Sequence, residues 1–205
     1  MKEKVFERRE ELLDAALNEF TSKSYDEASL NNIIKESGIS KGTFYYHFRD
    51  KQALYLFLLE ASIQRKLEFV NKKLNENPDF SREMDIFEKF KLQASISAEF
   101  AVSFPRYHLL SRMFTKEKGN EIYDIAKSVL ESGSEKILES MINEAIDHGE
   151  FADSFPREFI LKVINYMFLH FDEVFASDDD FELNRMLANL DDYVDFMKNG
   201  LGRKY

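Results

Sequence analysis

The chain contains no cysteine. That excludes disulfides, thiolate nucleophiles, zinc fingers and iron–sulfur ligation together, and it suits a reducing cytoplasm. Chain breakers are scarce: 7 Gly and 3 Pro among 205 residues, about 5% where average usage is near 12%. Such a chain favours long helices over an all-β fold. Long apolar runs are missing as well. The longest is Ala53–Leu59, against the ~20 residues that a membrane span needs. The first ten residues, Met1 to Glu10, hold no apolar core of a signal peptide. The expectation is a soluble, cytoplasmic protein with no membrane partner.

Catalytic constellations are equally thin. There is no glycine-rich phosphate loop and no serine elbow. Paired Glu-x-x-His spacings, as in metal-binding bundles, do not occur. Glu144 and His148 are four apart but lack a second pair, and His170 and Asp172, two apart, do not share a helix face. The chain is therefore expected to be no enzyme and to need neither cofactor nor metal.

What is present is an ordinary globular balance, 44% hydrophobic and 32% charged, and enough length to bury a sizeable core. The net charge of −10 is unevenly spread. Residues 1–51 carry nine Lys/Arg and ten Asp/Glu, so nearly all of the excess acid lies beyond them. Apolar residues recur at helical spacing between sparse loops around Asn75–Asp79, Phe104-Pro105, Lys116–Asn120, His148–Pro156 and Ser177–Asp180. The pattern predicts an all-α fold of about nine helices: about 3–22, 30–37, 41–47, 51–75, 81–103, 106–115, 119–147, 156–176 and 182–199. Gly133-Ser134 is a candidate kink inside 119–147, and Pro156 suits a first helical position.

The signals are sharpest in residues 29–54. Ser29 is an N-cap, with Asn32 where a capping box prefers Glu or Gln. Gly38 suits the left-handed position that ends a helix. Ser40 caps the next helix, and Asp50 a long one carrying Leu54, Leu58 and Ala61 on its buried side. Two short helices across a tight Gly-containing turn form a helix-turn-helix. Leu30, Ile33, Ile34, Ile39, Phe44 and Phe48 face inward, which leaves Lys41, Gly42, Thr43, Tyr45, Tyr46 and His47 on the other sides of the second helix. The aromatic pair Tyr45–Tyr46 points outward because Phe44 and Phe48 already fill the core face. Residues at the start of such a helix can reach base edges in a major groove, and Gly42 lets the backbone approach closely. Ser29 and Lys51 stand at helix starts, where backbone N–H groups favour phosphate. Arg8 and Arg9 suit a backbone contact and a solvated face equally.

The run Gly42-x-x-Tyr45-x-His47-Phe48-x-x-Lys51-x-x-Leu54, with Ser29 and Gly38 before it, closely resembles the DNA-binding signature of the tetracycline-repressor (TetR/AcrR-like) family. The resemblance is tight over 28–54 and extends through Ala15, Ala16 and Phe20 to about residue 5. It implies an N-terminal three-helix helix-turn-helix head over residues 1–50 and a C-terminal ligand-binding and dimerisation bundle over 51–205. It also implies a homodimeric, ligand-responsive transcriptional regulator, a repressor, that binds double-stranded DNA at a pseudo-palindromic operator. Ser29, Tyr45, His47 and Lys51 would then hold phosphates. Lys41, Gly42, Thr43 and Tyr46 would lie nearest the bases, with Ser40 in the same DNA-binding set. Two positions depart from the family pattern: Ala28 stands where Thr is common, and Ile34 where a small Ala is frequent.

A single short helix buries too little to bind specifically, and two-fold symmetry doubles the contact. The wide apolar stripe on 156–176 includes Phe159, Val163, Met167 and Phe171, and 182–199 adds Met186, Leu190, Tyr193 and Met197. Two such helices from each chain would make an isologous four-helix bundle. The resemblance further implies a small effector, a largely apolar inducer that releases the operator. It would sit among Phe- and Met-rich middle helices whose candidate polar groups are Glu99, Tyr107, His108, Arg112, Tyr123, Asn165, Tyr166 and His170. The alternative is a DNA-binding regulator with no small-molecule inducer that answers to a protein partner.

Overall fold

The computed structural model describes residues 8–76, 84–130, 134–169 and 183–203. Among these the fold is all-α, with ten helices: α1 Arg9–Ser22, α2 Leu30–Ser37, α3 Lys41–His47, α4 Lys51–Glu76, α5 Ile86–Ser103, α6 Pro105–Lys116, α7 Glu121–Leu130, α8 Ser134–Asp147, α9 Arg157–Leu169 and α10 Leu183–Leu201. The expected helix over 119–147 is thus two helices, α7 and α8, on either side of residues 131–133, which lie outside the described residues. The first helix is described from Arg9, and the start expected at residue 3 lies outside the described residues. Pro156 precedes α9, and its carbonyl accepts from Phe159 and Ile160 at 2.9 and 3.2 Å. The helix end expected at 176 and the start expected at 182 also fall outside the described residues. No described helix is long and apolar enough to cross a membrane.

The chain divides into two compact units. The first takes residues 1–68 and 100–130, the second residues 69–99 and 131–205.

In the first unit the apolar stripe of α1 (Leu12, Ala16, Leu17, Phe20) packs with Ile33 and Ile34 of α2, Phe44 of α3 and Leu54, Tyr55 and Leu58 of α4. Leu110 of α6 and Ile122 and Ala126 of α7 complete that core. Ile34, larger than the family's usual residue, is buried in it. In the second unit Ile86, Phe87 and Phe90 of α5 pack with Ile142 and Ala145 of α8, Ile160 and Ile164 of α9, and Val194, Met197 and Leu201 of α10. An isolated antiparallel bridge joins Phe151 to Gly202. A side chain on Gly202 would strike the Lys198 carbonyl, so only glycine fits there.

Candidate DNA-binding surface

The short helices are fixed by their ends. The Ser29 hydroxyl accepts from the Asn32 N–H at 3.3 Å. A capping box would also satisfy the Ser29 N–H with an acid three residues on. Here that acid comes from α1: Glu19 Oε1 accepts the Ser29 N–H at 2.9 Å, and Glu19 Oε2 accepts from Asn32 Nδ2 at 2.7 Å. Lys23 Nζ adds a third bond at 2.6 Å. Burial raises the Glu19 pKa, but the hydrogen bonds from Lys23, Ser29 and Asn32 outweigh it and hold the carboxyl below its usual range. The signal in the sequence was a carboxylate within the apolar stripe Ala16–Phe20.

Gly38 ends α2 at φ 67, and Arg8 donates to its carbonyl at 3.2 Å. Arg9 lies over the Phe57 ring at 5.3 Å. Both arginines, ambiguous in the sequence, thus brace the head. The Ser40 hydroxyl caps α3, accepting from the Thr43 N–H at 3.0 Å. Asp50 caps α4, accepting from the Ala53 N–H at 2.8 Å. That bond, with a second from the Arg49 side chain, lowers the Asp50 pKa.

α3 has one buried side and one open side. Phe44 is fully buried and stacks with Phe48 at 5.8 Å. Lys41 and Gly42 are exposed, and Tyr45 and Tyr46 are 57% and 70% exposed. Neither tyrosine belongs to the core. Thr43 and His47 are half-buried, and the His47 ring meets Tyr46 edge-on at 4.9 Å. At Gly42 a Cβ would lie 3.7 Å from the Ser40 hydroxyl, an ordinary contact, and its backbone is helical. Nothing inside the fold requires glycine there.

The Lys51 side chain turns inward. Its ammonium donates to the carbonyls of Tyr25 at 2.7 Å and Ala28 at 2.9 Å, more weakly to Asp26, and sits 4.4 Å from the centre of the Tyr25 ring. The ammonium expected to hold a phosphate is thus engaged within the head.

The residues named for an effector fall in both units. In the first, Tyr107, His108 and Arg112 lie on α6 and Tyr123 on α7, its ring stacked on Phe114 at 4.9 Å. Burial, with the charges of Arg112 and Lys66, lowers the His108 pKa and favours the neutral imidazole. Ser62 of α4 donates to the Tyr107 carbonyl at 3.3 Å. In the second unit Glu99 pairs with Lys73, Asn165 is half-buried and Tyr166 is exposed. His170 lies outside the described residues. A groove of about 320 Å³ in the second unit was not foreseen. Lys91, Ala94 and Ser95 of α5 and Leu187, Ala188, Leu190 and Asp191 of α10 line it.

Of the residues named for self-association, Phe159 is 44% exposed, Val163, Met167, Leu190 and Tyr193 are half-buried, and Met197 is in the core of the second unit. The Tyr193 hydroxyl donates to the Met167 carbonyl at 3.2 Å. Phe171 lies outside the described residues, as does the Met186 side chain. Phe196 of α10, 69% exposed, was missed. It breaks no helical pattern, so only the packed structure reveals its exposure.

A capped pair of short helices on a three-helix core, with an open polar–aromatic face on the second, defines a helix-turn-helix regulator domain. Residues 12–57 match the family model for bacterial regulatory proteins of the tetR family. An uncharacterised HTH-type transcriptional regulator of Bacillus subtilis (strain 168), YvdT, is 34% identical over 77 residues. That stretch is 38% of this chain and 40% of the relative, so the chain aligns to less than half the length of such a relative. Among solved structures, a TetR-family transcriptional regulator from Chloroflexus aurantiacus J-10-FL superposes with a TM-score of 0.65 at 24% identity, covering 97% of this chain and 94% of that one. The TetR-family protein CprB from S. coelicolor A3(2) does so with 0.63 at 16% identity, covering 96% and 89%. These likenesses show that the fold extends over the whole chain.

Proposed function

We propose that the protein is a homodimeric, ligand-responsive transcriptional repressor that lays α3 of each head into adjacent major grooves of a pseudo-palindromic operator. The observation that carries this reading is the open face of α3. Lys41, Gly42 and Tyr46 stand outside the core and the exposed Tyr45 meets it only edge-on at Phe44, while the Ser40 hydroxyl and buried Phe44 hold the helix in place. Ser29, Tyr45, His47 and the start of α4 at Lys51 are assigned to phosphates. Lys41, Gly42, Thr43 and Tyr46 are assigned to the bases, with Ser40 beside them in the DNA-binding set.

Residues 1–50 read DNA in this scheme, and residues 51–205 dimerise and take the effector. Dimerisation is assigned to α9 and α10, which leave Phe159, Tyr166 and Phe196 exposed. The effector is small and largely apolar, with polar groups drawn from Glu99, Tyr107, His108, Arg112, Tyr123, Asn165, Tyr166 and His170. It acts by favouring a dimer whose two heads no longer match one helical turn, ~34 Å, and only differential affinity for the two dimer states can produce that shift.

Selection from random duplex DNA tests the reading. The wild type is expected to enrich a pseudo-palindrome. Tyr46→Ala should lose preference at one position of each half-site. Lys41→Ala should likewise relax the preference at the base it faces. No enrichment, or equal enrichment by both variants, would overturn the assignment.

A further inference from the structure

The loop between α1 and α2 has three anchors. Two belong to the head: Glu19 holds the Ser29 N–H, and Lys51 holds the carbonyls of Tyr25 and Ala28. The third comes from 92 residues further along the chain. Glu117, just past the end of α6, is 3% exposed, and its Oε1 accepts the Tyr25 N–H at 2.6 Å. Its Oε2 accepts from Asn120 Nδ2 at 2.7 Å. Both oxygens are thus engaged, and the Tyr25 residue is gripped at its N–H by Glu117 and at its carbonyl by Lys51. The Tyr25 ring lies 5.0 Å from that of Tyr55, whose hydroxyl pKa is raised by burial and by the Glu117 charge.

A carboxylate is poorly placed at the C-terminal end of a helix, where the backbone dipole is already negative. Burying one adds a desolvation cost. Glu117 does nothing for its own helix that a neutral residue would not do better; one of its two partners is Asn120 in the turn after α6, and the other is the head. At the other end of α6, Arg106 donates to Asp14 at 2.8 Å and to Asn18 at 3.5 Å, both on α1. The head is held to α6 at both of that helix's ends.

We propose that Glu117 is a positioning residue for DNA binding: by fixing the Tyr25 N–H it makes the pose of α2 and α3 depend on the turn that follows α6. The proposal rests on the DNA-binding reading above. A displacement of that turn pulls on Tyr25, and through Ala28 and Ser29 on the start of α2. The head could then lose its register on DNA without unfolding.

The test uses the full-length chain, the duplex that the wild type enriches from a random pool, and a temperature at which circular dichroism finds every variant folded. Glu117→Ala leaves the half-buried Tyr25 N–H without its acceptor and should bind the duplex about tenfold more weakly. Amide exchange should rise over Ser24–Ser29 while the middle of α4 keeps its protection. Glu117→Gln retains an acceptor for Tyr25, and its amide can donate to a turned Asn120, so it should restore affinity to within about twofold. Glu117→Asp keeps the charge but is one methylene short of a 2.6 Å bond. It should lose about threefold in affinity, and it serves if the alanine variant does not fold. Wild-type affinity in folded Glu117→Ala overturns the proposal. So does equal loss in the alanine and glutamine variants. A wild type that enriches no duplex overturns the DNA reading itself, and the proposal with it.

Discussion

Gly42 and Lys51 sit nine positions apart and divide their duties in opposite ways. Gly42 has room for a methyl group and a helical backbone. Gly42→Ala should therefore stabilise the fold by about 0.5–1 kcal/mol while weakening binding to the selected duplex about tenfold. Paired thermal melts and anisotropy titrations read both effects, and a fall in both would mean that the glycine serves the fold. Lys51 is the reverse case. Replacing its ammonium in Lys51→Met removes bonds to buried carbonyls and should cost about 1.5–3 kcal/mol. That is a drop in melting temperature of about 3–10 °C. An unchanged melting temperature would return Lys51 to a purely electrostatic role. The sequence reading could assign Lys51 only by its place at the start of a helix. The carbonyls that occupy its ammonium belong to a loop more than twenty residues upstream, and no local pattern announces them.

At the scale of elements, the helix-turn-helix was legible because its signals are local: a serine before each short helix, a glycine after the first, and inward positions filled by Leu30, Ile33, Ile34, Phe44 and Phe48. Glu19 was not legible, because its partners lie on a different helix. It joins α1 to α2, and its pKa is held below the usual 4.5 by hydrogen bonds that burial only partly opposes. A depressed carboxyl stabilises the fold above its unfolded pKa and loses that contribution as the pH falls through its folded pKa. Glu19→Ala should therefore cost about 2 kcal/mol at pH 7. The gap between wild type and variant in urea unfolding should close as the pH falls below 4.5 and through the lowered pKa of the folded state. A gap that persists once the carboxyl is protonated would show that lost packing, not the charge, accounts for the cost. The split of 119–147 into α7 and α8 was visible only as a possible kink at Gly133-Ser134, since apolar periodicity alone runs straight through it.

For the molecule as a whole, the acid beyond residue 51 leaves the head as its least repulsive face toward DNA. In the proposed reading, self-association is what makes one short recognition helix sufficient. The exposed Phe159 of α9 is a direct probe of it. Phe159→Glu places a charge on the face assigned to the partner, and sedimentation should find a monomer where the wild type is a dimer. Its affinity for the selected duplex should fall by about a hundredfold or more as the second head is lost. A variant that stays dimeric would move the interface to another surface. The wide apolar stripe of residues 156–176 suggested this face, but Met197 was indistinguishable in sequence from an interface residue. Both kinds recur at the same spacing, and only packing separates the core residue from the exposed one.

The separation between Gly42 and Lys51 has a historical consequence. Lys41, Gly42 and Tyr46 lie outside the core of the first unit, while the residues that fill it point elsewhere. On the proposed assignment, a duplicated gene could therefore drift at those three positions, and come to recognise a different stretch of DNA, without first acquiring compensating changes to stay folded. The same layout makes this helix the natural place for an experimenter to install a new address.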